Sequence, residues 1–148
     1  MGWTEKRDRR KGFRVGQVAA TLQSMRSISI QEPHISRIMR GEKTLEVRSN
    51  AYPWVSAIGE TIALHGAANP PGPHAGLVVG MVTVLDVRPF HIADEVAACC
   101  ALKPDHFVLV LSKVVALRSH FKASGARGLW DLPASFDAFL SEAYGTPE

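Results

Sequence analysis

Cysteine is nearly absent from this chain of 148 residues, which has only Cys99 and Cys100. Adjacent cysteines are poorly placed to bridge one another, and two thiols without ligand spacing exclude a disulfide framework and a thiolate zinc site. The histidines, at positions 34, 65, 74, 91, 106 and 120, include no pair at metal-ligand spacing, so neither a metal nor another cofactor is expected. Long apolar runs are missing as well. The longest, Gly76 to Leu85, is too short to cross a bilayer, and the N-terminal residues are charged where an export signal needs an apolar stretch. A cytoplasmic protein with no membrane partner is the expectation. The chain also has no Gly-x-Ser-x-Gly elbow, phosphate loop, dinucleotide fingerprint, internal repeat or low-complexity segment, which removes the usual signatures of serine hydrolases, NTPases and Rossmann enzymes.

What is present is a hydrophobic fraction of 46%, enough for one adequate core and too short a chain for two. The formal net charge is +3. Six cations between Lys6 and Arg14 stand against Glu5 and Asp8, a net +4 that leaves −1 for the remainder. Residues 1–26 therefore read as a basic tail, with a marginal helix at Val15–Leu22, and residues 27–148 as the domain. Within the domain the charge is segregated again. Lys113, Arg118, Lys122 and Arg127, with His106 and His120, occupy a stretch with no acidic residue between Asp105 and Asp131. A run of one sign focuses potential if it lines a cleft.

Periodicity sets out the elements. A short strand at Ser27–Ile30 precedes a helix opened by Pro33 and closed by Gly41, with Ile35, Ile38 and Met39 on one face. Thr44 to Ser49 and Glu60 to His65 read as strands, separated by a loop holding Tyr52, Pro53 and Trp54. Asn69-Pro70-Pro71-Gly72-Pro73 must be loop. Gly76 to Arg88 is a long strand with a bend at Gly80, and Phe107 to Leu117 is a second, broken near Ser112-Lys113. His91 to Leu102 has Ile92, Val96, Cys99 and Cys100 at helical spacing. Pro133 to Tyr144 closes as an amphipathic helix with Gly145 as terminator. Strands with short helices interspersed, without βαβ regularity, predict an α+β fold: a small mixed β-barrel of about five to six strands with short flanking helices.

The most informative segment is Gly41-Glu42-Lys43-Thr44-Leu45-Glu46-Val47-Arg48-Ser49. Strand alternation sends Leu45 and Val47 to one face and Thr44, Glu46 and Arg48 to the other. Lys43 sits at the helix-to-strand junction, where its ammonium either favours the negative helix end or projects into a cleft. Glu46 and Arg48 are either a half-exposed ion pair or a fork that orients onto phosphate or a base edge. Trp130, after Gly128-Leu129, is either a core aromatic or a stacking platform for a base.

Strand, helix, the Gly-x-Lys-Thr-x-Glu-x-Arg run, a valine-rich strand pair and the late Gly-Leu-Trp together resemble the ASCH domain family, a branch of the PUA-like β-barrels, over roughly Ser27 to Leu132. The resemblance implies a compact barrel with a nucleic-acid or nucleotide cleft. In ASCH-like amidohydrolases the corresponding lysine acts with a threonine on the next strand and a downstream carboxylate. Here the position three residues after Lys43 is Glu46, and Asp94 and Glu95 lie in the region of the carboxylate. The expected site is Lys43 and Glu46 as a catalytic pair, with Lys43, Thr44, Arg48, Ser49, Arg118, Lys122, Arg127 and Trp130 binding nucleic acid. The expected partner is RNA, possible single-stranded nucleic acid included, or a modified nucleoside. Three functions stay open: a binding module; an enzyme, either a metal-independent ribonuclease or an amidohydrolase of an acylated cytidine-type nucleoside; and a regulatory domain that binds protein.

Overall fold

The computed structural model describes residues 24–145. The expected helix at 15–22, and all but the last three residues of the basic segment, lie outside the described residues. Seven strands and three α-helices are present among them: β1 (Arg26–Ile30), α1 (His34–Met39), β2 (Leu45–Arg48), β3 (Thr61–Gly66), β4 (Leu77–Pro89), α2 (Glu95–Ala98), β5 (Phe107–Leu111), β6 (Val115–Lys122), β7 (Leu129–Asp131) and α3 (Ser135–Tyr144). They make one mixed sheet in the order β2-β5-β4-β3-β1-β7, with β6 branching off β4, and the sheet is not closed. β1 and β3 pair in parallel; the other strand pairs are antiparallel. The α+β class and the mixed sheet with short flanking helices match the sequence expectation. The strand number exceeds it because β7 is three residues long, too short to leave a periodic trace.

β4 organises the sheet. Its first half pairs with β3 and β6 and its second half with β5, and the register shifts between Val78 and Gly80 and between Val84 and Asp86 allow one strand to serve both neighbourhoods. The apolar residues on both faces of β4 follow from this, because each face is covered. Ile28, Ile30, Ile35, Ile38, Ile62, Leu64, Val79 and Leu109 form the main core, and each fully buried aliphatic contributes roughly 1.5–3 kcal/mol. A second cluster joins Phe136 of α3 to Ala63, Val78 and Leu117. α1 places Ile35 and Ile38 in the main core, then stops at Gly41, whose φ of +81° a residue with a Cβ rarely adopts.

The expected helix at His91–Leu102 is much shorter. A 3-10 turn at Ile92–Asp94 leads into α2, which ends at Cys99 in the left-handed region with φ 55°. Ile92 and Val96 are 69% and 89% exposed. Their helical spacing is real, but these two side chains point to solvent while Cys100 packs on a small core of Leu45, Phe90, Ala98 and Val108, and the Asp94 carboxylate fixes the start of the segment. It accepts from Arg88 Nη1 and Nη2 at 2.8 and 3.0 Å and from the His91 backbone N–H at 2.9 Å.

These hydrogen bonds, led by the Arg88 guanidinium, hold the Asp94 carboxyl down to about 2 from its ordinary 3.8. A depressed carboxylate stabilises the fold above its unfolded pKa, and that contribution is lost as pH falls through about 2. Asp94→Asn is expected to lower unfolding free energy at neutral pH by about 1–2 kcal/mol. The deficit should shrink between pH 3.8 and 2, as read by denaturant titrations at each pH. A gap that does not shrink across that range would show that the deficit does not come from the ionised pair.

Candidate functional site

The turn between α1 and β2 aims Lys43. The backbone N–H groups of Glu42 and Lys43 both donate to the Arg37 carbonyl, at 2.9 and 3.1 Å, so Lys43 leaves the helix end before the strand begins. Thr44 is then fixed on both sides, its N–H donating to Ala97 O at 3.0 Å and its carbonyl accepting from Leu111 N–H at 3.1 Å. From Leu45 onward β2 runs antiparallel to β5, with Leu45 opposite Val110 and Arg48 opposite Phe107. Leu45 enters a small core with Phe90, Ala98 and Val108, and Glu46 and Arg48 face the other way. Because its direction is set by the turn and not by the strand, Lys43 reaches the same side as Glu46.

The result is a chain of charge along the floor of a cleft of about 770 Å³. Lys43 Nζ donates to Ala98 O and lies 3.9 Å from Glu46 Oε1, with 1% of the lysine side chain and 9% of the glutamate exposed. Glu46 Oε2 accepts from Arg48 Nε and Nη2 at 3.2 and 3.0 Å. Arg48 Nη2 also donates to Ser29 O at 3.2 Å, and the guanidinium stacks over the Trp54 ring, 4.9 Å from its centroid. Burial lowers the Lys43 pKa below the ordinary 10.5, and the Glu46 carboxylate opposes that shift. His34 joins the lining from the start of α1. Its pKa is also lowered, first by burial and then by the Lys43 cation, and its Nδ1 is buried without a hydrogen-bond partner.

Of the residues expected at the site, Lys43, Glu46, Arg48, Ser49 and Arg127 line this cleft. Thr44 is exposed and outside it. Arg118 and Lys122 belong to β6, which runs past the strand end expected at Leu117. Arg118 covers the ring of Tyr144 at 4.5 Å, and Lys122 pairs with Leu77. Trp130 sits behind the wall, its indole N–H donating to Ser29 Oγ at 3.1 Å and its ring edge-on to His65 at 5.2 Å. Asp94 is held by Arg88, and the Glu95 carboxylate accepts from the Leu102 N–H at 2.6 Å, so neither carboxylate lines the cleft. His34, Lys103 and His106 come from three separate segments; His106 stood at the edge of the basic run, and nothing local marked His34 or Lys103. Tyr52 and Trp54 stood in a loop whose Pro-flanked aromatics marked a turn and nothing more.

The fold is ASCH-like. The solved structure of ASCH from Zymomonas mobilis is 14% identical to this chain, with 80% of this chain and 94% of that one covered at a TM-score of 0.54. Two single-substitution variants of that protein are each 13% identical, covering 81% and 80% of this chain and 96% and 98% of theirs, at TM-scores of 0.56 and 0.57. At such identities the likeness establishes the fold. No family model and no curated protein matches the sequence.

Proposed function

We propose that the cleft binds one nucleotide unit of RNA, or a modified nucleoside, and that Lys43 with Glu46 carries out proton transfer on it. The observation behind this is the buried Lys43–Glu46–Arg48 chain at the floor of a cleft of about 770 Å³, a volume suited to a nucleotide, with Lys103, His106 and Arg127 also in its wall. Cations outnumber the single carboxylate there, which favours an anionic ligand. A side chain 1% exposed at the cleft floor reaches a substrate proton through one intervening water. Desolvation makes its neutral amine accessible at lower pH than an exposed lysine, which is what a general base requires. For an RNA strand the proton removed is that of the 2′-hydroxyl, whose oxygen attacks the adjacent phosphorus and closes a 2′,3′-cyclic phosphate as the P–O5′ bond breaks, the leaving 5′-oxygen taking the proton back. For an acylated cytidine it is that of the attacking water, which adds to the acyl carbon; the bond to N4 then breaks, and N4 takes the proton as the carboxylic acid and cytidine separate. Glu46 then stabilises the ammonium that forms.

A second possibility, a binding module without turnover, draws on the forked Arg48–Glu46 contact, which holds a planar donor group ready for phosphate or a base edge. Incubating the protein with labelled single-stranded RNA and with N4-acetylcytidine separates the two: product from either supports the enzyme, and binding without product supports the module. In both cases Arg48→Lys should weaken binding on the order of tenfold despite conserving charge, because an ammonium cannot hold Glu46 and Ser29 O and still present the Nη1 donors to a ligand. Affinity unchanged at physiological salt would remove Arg48 from the site.

A further inference from the structure

A second cavity of about 580 Å³ adjoins the first, and the two share Ser29, Ala67, Ala126 and Arg127 in their walls. Its own lining is unlike that of the first. Ala68, Gly76, Ala123 and Gly125 give a wall of small, largely apolar groups, with His65, Asn69 and Ser124 as polar side chains. Arg127 is the one side chain with a fixed charge in that wall, and it stands where the two cavities meet.

The loop that divides them is anchored. The Ala123 N–H donates to Gly76 O at 3.0 Å, and Ala123 O accepts from His65 Nε2 at 2.8 Å. A carbonyl can only accept, so Nε2 carries the proton and Nδ1 accepts from the Ser29 hydroxyl at 2.9 Å. Gly125 lies directly on this pair: a Cβ there would come within 2.7 Å of both His65 Cε1 and Ser29 Oγ. The loop is thus pinned at Ala123 and Gly125, immediately before Ala126 and Arg127, so the position of the arginine between the cavities is built into the fold.

We propose that the second cavity is a subsite for a neighbouring nucleobase, so that the preferred ligand is a strand of at least two nucleotides with Arg127 on the phosphodiester between them. This rests on the nucleotide assignment of the first cleft. A flat, weakly polar group fits a wall of alanines and glycines, and an anionic linker fits the arginine at the junction. An acyl substituent on a single nucleoside would use the apolar wall and leave Arg127 without a purpose. Ser29 ties the two sites together, because its carbonyl accepts from Arg48 in the first while its hydroxyl packs on His65 in the second.

The test is calorimetric titration with three probes that resist cleavage: a 2′-O-methyl cytidine 3′-monophosphate, its methyl phosphodiester, and the 2′-O-methyl dinucleotide that adds a second base. The dinucleotide should bind on the order of tenfold more tightly than the methyl phosphodiester. Ala68→Phe and Ser124→Phe, which fill only the second cavity, should each erase that gain while leaving monophosphate affinity unchanged. Arg127→Gln should weaken both diesters. Equal affinities for the dinucleotide and the methyl phosphodiester would overturn the subsite and leave the first cleft's assignment standing. So would a gain that survives both phenylalanine variants. Failure of all three probes to bind would overturn the nucleotide assignment and the subsite with it.

Discussion

Lys43→Met is expected to reduce turnover of RNA or acyl-nucleoside by about 10²–10⁴-fold, the range for loss of a positioned acid or base, with binding changed only a few-fold. Methionine is chosen because it keeps much of the volume of a side chain that is 1% exposed, so the fold is not asked to close a cavity. Lys43→Arg should not restore activity, since a guanidinium does not give up its proton at working pH. The pH dependence has a definite sign. Burial lowers the Lys43 pKa, so the rate should rise with pH through a value below the ordinary 10.5. Over the same interval, up to 10.5, the unfolded chain binds more protons than the folded one, and stability should also rise with pH. Single-turnover rates from pH 6 upward measure the first and denaturant titrations the second. A Lys43→Met protein that turns over at the wild-type rate would eliminate the lysine as base.

Glu46→Ala carries the largest expected effect on stability, about 3 kcal/mol. The carboxylate serves two cations at once, and its side chain is 9% exposed. With it gone, Lys43 can shed its proton and become neutral, but Arg48 cannot. The cost therefore falls mainly on the guanidinium, which keeps Ser29 O and the face of Trp54 as partners and is 23% exposed, placing the loss at the lower end of what breaking a buried pair costs. Glu46→Gln should cost less, because the amide oxygen still accepts from Arg48. Urea unfolding of both variants reads the difference. A Glu46→Ala protein within 0.5 kcal/mol of wild type, on the order of a neutral surface substitution, would mean that the charge chain is not desolvated.

How much of this was legible in the sequence depended on whether each signal was local. The helix bounded by Pro33 and Gly41, the strand starting after Lys43, the break near Ser112-Lys113 and the bend at Gly80 are all encoded by residues within a few positions of the feature, and the structure has each of them. The His91–Leu102 stripe was misleading because periodicity reports that one face is apolar, not that anything covers it. The contact that limits this segment, Arg88 to Asp94, is a pairing of side chains that periodicity does not see.

The same distinction runs through the site. Lys43, Glu46 and Arg48 lie within one hexapeptide, so their convergence could be anticipated once the turn at Gly41 was allowed to redirect the lysine. Arg118 and Lys122 shared a one-sign run with Arg127, but β6 carries them along β4 toward α3 while Arg127 follows the loop back to β1. Trp130 ended between both readings: half-buried against His65, yet bonded to the Ser29 hydroxyl that stands in the cleft wall. His34, Lys103 and His106 reach the cleft through tertiary folding alone.

The most direct measurement of where ligand binds is a titration of cytidine 3′-monophosphate into ¹⁵N-labelled protein followed by amide and indole NMR shifts. The account predicts saturable shifts at Glu46, Arg48, Ser49, the Trp54 indole and Arg127, with Arg118, Lys122 and α3 unaffected. Shifts confined to β6 and α3, or none at millimolar ligand, would contradict it.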